Sequence, residues 1–114
     1  MQDCIFCKIS QGKMKADIVY EDEKVIAFND IDPKAPHHAL IIPHKHISTI
    51  NDLTEDDDAL IGHMIHTAKN LALKLNIQED GYRLVFNCNR DGGQAVFHIH
   101  LHLLGGRNMT WPPG

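Results

Sequence analysis

The sequence predicts an α+β fold: a five-stranded antiparallel sheet with one long and one short helix, in a single domain spanning residues 1–114. Three observations lead there. The stretch 53–77, LTEDDDALIGHMIHTAKNLALKLNI, carries apolar residues at helical spacing. IVYED (18–22) and KVIAFND (24–30) read as two strands joined by a tight acidic turn, a β-hairpin. From His98 onward, HIHLHLL alternates imidazole with aliphatic side chains, the period of a strand with two different faces. Strands in hairpin order around one long helix make an α+β arrangement with an antiparallel sheet.

Taken in order, residues 4–10 suit a short helix, and the hairpin of 18–22 and 24–30 follows. DIDPKAPHH (30–38) holds two prolines and is expected to be a loop. ALIIP (39–43) is a short, almost wholly apolar strand stopped by Pro43. In the long helix, Leu60, Ile61, Met64, Ile65, Ala68, Leu71, Ala72 and Leu75 form the buried stripe, with Thr54 as N-cap and Glu55 to Asp58 in the first turn. Negative charge is favoured there by the helix dipole, as Lys69 and Lys74 are toward the other end. Gly81 serves as the stop, and His63 and His66 are read as surface residues without chemistry. YRLVFN (82–87) is the fourth strand and 97–104 the fifth. The tail GGRNMTWPPG is irregular but holds the sole tryptophan, Trp111, which a partner chain would anchor.

Composition narrows the function. A hydrophobic share of 43% and a charged share of 23% are ordinary for a soluble domain. A net charge of −4 speaks against a general nucleic-acid binder, which would show a basic face. No apolar run approaches the about 20 residues of a membrane span, and MQDCIFCKIS lacks the pattern of a secretory signal. The expected setting is cytoplasmic, with no membrane partner. There, three cysteines argue against a disulfide framework. Nine histidines are the outlying number.

Side chains at i, i+2 and i+4 on a strand share one face, which puts His98 and His102 roughly 13 Å apart at the backbone. Metal–nitrogen bonds of about 2 Å do not suit one ion held by all three histidines of the run, although two neighbours could share one. Nucleophilic chemistry suits the pattern better. A neutral imidazole attacks well near pH 7, and His100 has a ring on either side to bind charge or move protons. That constellation fits attack on phosphorus, where phosphoryl oxygens need stabilising. DGGQAVF (91–97) lies immediately upstream, and its glycines can bring backbone N–H groups toward an anion.

HIHLHLL resembles the signature of the histidine triad family, three histidines alternating with apolar residues. AFNDIDPKAPHHALIIPHKHIS, GYRLVFN, DGGQAVFHIHLHLLGG and the WPPG ending extend the likeness over nearly the whole chain. They are similar to the Hint branch, the purine nucleoside phosphoramidases, rather than to the dinucleoside polyphosphate hydrolases of the same family. The resemblance implies a homodimer whose two five-stranded sheets join into a ten-stranded one. It further implies hydrolysis of adenosine or guanosine 5′-phosphoramidates (AMP or GMP conjugates) to nucleoside monophosphate and amine, with His100 as the nucleophile of a nucleotidyl-histidine intermediate. His102 and His38 would contact the phosphate and assist. Asn87, Gly93 and the backbone of Gln94 and Ala95 would complete the phosphate pocket. Asp30 would accept from the ribose hydroxyls, and Ile5, Phe6, Ile9, Phe28 and Ile31 would line the purine slot; each of these five also reads as an ordinary core residue. Trp111 would reach the partner's site. One departure is Ala95, where relatives often carry a hydroxyl that donates to the phosphate or the leaving group.

CIFC places Cys4 and Cys7 at a spacing that zinc sites favour and redox motifs share; no βαβ context supports redox work. His46 and His98 are available to complete a tetrahedron, with His44 as a rival to His46. Some bacterial histidine triad proteins hold a structural zinc in this Cys-Cys-His-His manner, so the resemblance implies zinc here. Cys88 reads as a packing residue. Two other classes remain open: a nucleotide-binding regulatory module with weak catalysis, and a protein that chiefly binds zinc.

Overall fold

The computed structural model describes residues 3–114. Its elements are α1 (Ile5–Ser10), β1 (Ile18–Glu21), β2 (Val25–Asn29), β3 (His37–Pro43), α2 (Asp58–Lys74), β4 (Tyr82–Phe86), α3 (Asn89–Gly92) and β5 (Leu101–Gly105). The five strands form one antiparallel sheet in the order β1-β2-β3-β5-β4, so the last strand in sequence is inserted between β3 and β4. The predicted fold class is therefore the observed one, with α3 as a four-residue turn that the residue pattern did not announce.

Pairing fixes which side chains share a face. Phe28 opposes Leu40, and Leu40 opposes His102. One face thus carries Ile26, Phe28, Leu40 and Ile42, which pack with Phe6 and Ile9 of α1. On the other, Val25, Ala27, Ala39, Ile41, Leu101 and Leu103 pack under Met64, Ala68, Leu71 and Ala72 of α2. Small residues on strand and helix let the two layers approach closely.

The long helix is shorter than its periodicity suggested. Thr54 caps a 3₁₀ turn at 55–57, its N–H donating to the Asp57 carboxylate at 3.0 Å, and α2 proper follows. Its end is set by Asn76 rather than Gly81: Asn76 is left-handed (φ 59°), Ile77 N–H reaches Ala72 O and Asn76 N–H reaches Leu73 O. That pair of bonds is a Schellman termination, which satisfies the last carbonyls. Ile65 and Leu75, expected in the buried stripe, are exposed.

Two strand boundaries differ from expectation, and both bear on function. β3 begins at His37, so His38 sits on a strand rather than in the proline loop. β5 begins only at Leu101; His98 and His100 precede it in non-strand backbone. Ile99 N–H bonds to Ile47 O at 2.7 Å instead of to a neighbouring strand. The imidazole side is not solvent-facing either: His98 is wholly buried and His100 nearly so. Gly105 passes under the helix terminus, where a Cβ would lie 2.4 Å from Ile77 Cδ1 and would push the end of that side chain aside.

Candidate nucleotide and metal sites

Four metal-ligating side chains converge at the start of α1. Cys4 is the N-cap and Cys7 the third helical residue, so the helix's first turn brings both sulfurs to one side, and Cys7 N–H points at Cys4 Sγ (3.3 Å). His46, just past β3, and His98 complete the group, with one ligand atom from each of the four within 4.8 Å of the others. Cys7 Sγ lies 3.2 Å from His46 Nδ1 and 3.5 Å from His98 Nδ1, Cys4 Sγ 3.4 Å from His98 Nδ1, and the two Nδ1 atoms 3.2 Å apart. A tetrahedron built on Zn–S and Zn–N bonds has edges of about 3.3–3.8 Å, and these separations fit it.

The surroundings fit as well. His98 Nε2–H donates to Pro43 O at 2.8 Å, which leaves the Nδ1 lone pair facing the cluster. His46 Nε2 is 3.1 Å from Ser48 Oγ. Burial pulls His98 down to about 4 and lowers His46, so both rings are neutral at pH 7, as a metal ligand must be. Burial, and then the neighbouring Cys4, raise the Cys7 thiol. The buried Cys7 thiol thus resists ionising without a cation, and a divalent ion would reverse that. His44 stays outside, bonded to the Ser10 hydroxyl and, through Nε2, to Asp22 O at 2.8 Å.

On the same face lies a pocket of about 340 Å³. Its walls include Ile5, Phe6 and Ile9 of α1, Phe28, Asp30 and Ile31 after β2, Ala95, and His100 and His102. Phe6 stands edge-on to Phe28 (ring centroids 5.5 Å apart) and to His100 (5.1 Å), joining the apolar part of the slot to the imidazoles.

Backbone groups set the tautomers. Lys34 N–H donates to His38 Nδ1 at 3.1 Å, so the His38 proton is on Nε2. His38 Nε2–H then donates to His102 Nδ1 at 2.9 Å, with an Asp30 carboxylate oxygen 3.5 Å away. His102 consequently carries its proton on Nε2, as a donor. His100 is the opposite case: its Nδ1–H donates to the His98 carbonyl at 2.8 Å, which leaves Nε2 with a lone pair. Burial lowers all three; His102, next to His100 and His38, falls to about 4. Neutral rings of defined tautomer, a lone pair on His100 and a donor on His102, suit attack on phosphorus.

The remaining expected residues lie elsewhere. Gly93 is left-handed (φ 78°) and closes α3, its N–H bonded to Arg90 O; Gln94 N–H is bonded to Asn89 O. Those two amides are bonded within the α3 turn, and neither residue, nor Asn87, is among the walls of the slot. The Gln94 side chain is a brace, donating to Ser48 O (2.7 Å) and Val96 O (3.1 Å) and accepting from Asn89 N–H (2.9 Å). It ties the loop before the histidines to the segment that carries His46.

Sequence reasoning missed Met14, Lys15, Ala16, Leu40 and Val96 as slot walls. The left-handed Gly12 was the only local hint that the chain doubles back there. His63, read as a surface residue without chemistry, has a structural part: its Nε2 meets Asp22 Oδ2 at 2.7 Å, and the same carboxylate accepts Tyr20 O–H (2.7 Å), which pins α2 to the β1–β2 turn.

The family described as "Scavenger mRNA decapping enzyme C-term binding" matches residues 3–111. A crystal structure of a HIT family hydrolase from Legionella pneumophila superposes with a TM-score of 0.97, at 59% identity over 98% of this chain and 100% of that one. The chain belongs to the histidine triad family. Another histidine triad structure, a Zn-bound protein from Mycobacterium smegmatis, matches with a TM-score of 0.80 at 32% identity, covering 94% of this chain and 77% of its own. The purine nucleoside phosphoramidase of Escherichia coli K12 is 51% identical over 108 residues, 95% of this chain and 91% of that protein.

Proposed function

We propose that this protein hydrolyses the P–N bond of purine nucleoside 5′-phosphoramidates, releasing nucleoside monophosphate and amine. The observation that carries the reading is the His100 Nε2 lone pair in a slot whose apolar walls fit a purine and whose His102 Nε2–H fits a phosphoryl oxygen. The 51% identity to a purine nucleoside phosphoramidase supports it.

In the first step the P–Nε2 bond of His100 forms and the substrate's P–N bond breaks; the amine leaves with a proton taken from water. Water then attacks phosphorus and releases a proton to solvent that replaces the one the amine took, the P–Nε2 bond breaks, and the lone pair returns to His100. His102, held by His38, donates to a phosphoryl oxygen in both steps. Asp30 accepts from the ribose hydroxyls, and Ile5, Phe6, Ile9, Phe28 and Ile31 sandwich the base. Ala95 supplies a methyl group where a hydroxyl would serve the leaving amine, which makes good leaving groups the better substrates.

Cys4, Cys7, His46 and His98 hold a structural zinc, which cross-links α1 to the segments on either side of the slot. The Zn-bound relative and the four-ligand geometry support this. A reducing, cytoplasmic setting suits the thiols, and no described helix is long and apolar enough to cross a membrane. The whole of 1–114 works as one domain. Two copies pair through the open edge of β4 into a ten-stranded sheet, with Trp111, 81% exposed here, covered by the partner.

The test is incubation of wild type and His100→Ala with adenosine 5′-phosphoramidate, followed by AMP release and intact mass. Release by the wild type alone, with a transient nucleotidyl adduct, is expected. AMP binding without turnover by either protein would instead make this a nucleotide-binding module.

A further inference from the structure

One wall of the slot carries a charge that the chemistry above does not use. Lys15 lines the pocket with Met14 and Ala16, on the segment that returns from α1 to β1. Among the described residues Lys34 pairs with Asp32 and Lys45 with Asp57, whereas Lys15 is exposed and within ion-pair distance of no carboxylate. A lysine in no ion pair on the wall of an apolar slot is available to recognise an acceptor on a ligand.

The chain path says which end of the slot it occupies. The first turn of α1 lies at the histidines: Cys4 and Cys7 contact His98, and Phe6 abuts His100. Ile9 is one turn further on, Gly12 N–H closes back on Ile9 O, and Lys13 N–H on Lys8 O. Residues 14–16 therefore enter the slot from the far end of α1, and Ala16 packs on the Phe28 cluster. A nucleotide seated with its phosphorus at His100 and its ribose at Asp30 points the edge of the purine farthest from N9 toward that end. That edge carries the 6-substituent, a carbonyl acceptor in guanine and hypoxanthine and an amino donor in adenine.

We infer that Lys15 makes this slot prefer 6-oxopurine nucleotides, its ammonium donating to O6. The inference rests on the slot being the nucleotide site proposed above. An ammonium has three donors and no acceptor, so it rewards O6 and opposes an adenine N6 amino group. At a solvent-exposed rim the discrimination is about tenfold, close to the bottom of the range for a hydrogen bond to a charged group.

Two measurements test it on wild type, Lys15→Met and Lys15→Glu: kcat/KM for guanosine, inosine and adenosine 5′-phosphoramidates, and Kd for GMP, IMP and AMP. Wild type is expected to favour the guanosine and inosine compounds about equally over adenosine, and Lys15→Met and Lys15→Glu both to lose the O6 contact and with it the preference for inosine over adenosine. Lys15 is exposed, so both variants should melt as wild type does. An unchanged ratio in Lys15→Met overturns the inference, as does a preference for guanosine that inosine does not share. If wild type turns over none of the three yet binds GMP and IMP more tightly than AMP, hydrolysis falls and the role of Lys15 stands.

Discussion

Two histidine clusters are built from one five-residue stretch, and they use the imidazole in opposite ways. At the Cys4–Cys7–His46–His98 cluster, the Pro43 carbonyl takes the Nε2 proton of His98 and leaves Nδ1 bare for a metal. At the Asp30–His38–His102 cluster, the Lys34 amide donates to Nδ1 of His38, the proton moves to Nε2, and His102 ends as a donor. His100 lies between, fixed by the carbonyl of the very residue whose ring faces the sulfurs. Residue type alone does not choose between ligand, donor and nucleophile. The backbone group that meets the second ring nitrogen does.

The largest way to break the pairing is at the sulfur cluster. Cys7→Ser should abolish bound zinc, measured by elemental analysis, and lower the melting midpoint by more than about 10 °C, since binding energy at a structural site is folding energy. Full zinc content in that variant would sink the assignment. Next, His102→Ala should cut kcat/KM about a hundredfold while zinc content stays at the wild-type value. A matching loss of zinc would mean that the two clusters are one unit.

A third expectation concerns acid. Burial holds the folded-state value of His102 at about 4, below the ordinary 6.5. The unfolded chain takes up protons first, so stability is full above pH 6.5 and is lost as pH falls toward 4. Denaturant midpoints at pH 7.5, 6 and 5 should decline in that order; a flat series would contradict it. The smallest effect tests the shared scaffold. Gly105→Ala puts a methyl group against the end of the Ile77 side chain, which must move, at a cost of about 1 kcal/mol. A midpoint equal to wild type would show that Ile77 yields freely.

What the amino-acid order disclosed, and what it hid, follows the same division. The long helix, the hairpin and the apolar β3 are legible because local periodicity reflects one buried face. Cys4 and Cys7 were legible from their spacing, while His46 and His98, with His44 as a rival, came in with the family resemblance; the four side chains do converge. Strand geometry over 98–100 was misread: alternation looked like one polar face, yet His98 turns into the sulfur cluster and His100 into the slot, both buried. Gly93, expected beside the phosphate, terminates α3 in a left-handed conformation, a role the GG pair alone did not reveal. Lys34 and Gln94 act through a backbone amide and a three-way brace, and neither role leaves a trace in the order of residues. The Met14–Ala16 wall depends on where the chain returns, a tertiary fact.

The strand order has a consequence for how such a chain comes into being during synthesis. Because β5 slides between β3 and β4, His38 meets His102, and Cys4 meets His98, only after more than half of the sequence has been made. A nascent chain interrupted before residue 98 can hold its hairpin and its long helix, yet it has neither cluster. Its unfilled gap between β3 and β4 exposes two apolar strand edges. Chemistry and closure of the sheet therefore arrive together, on the same few residues, and an incomplete copy is both inert and sticky.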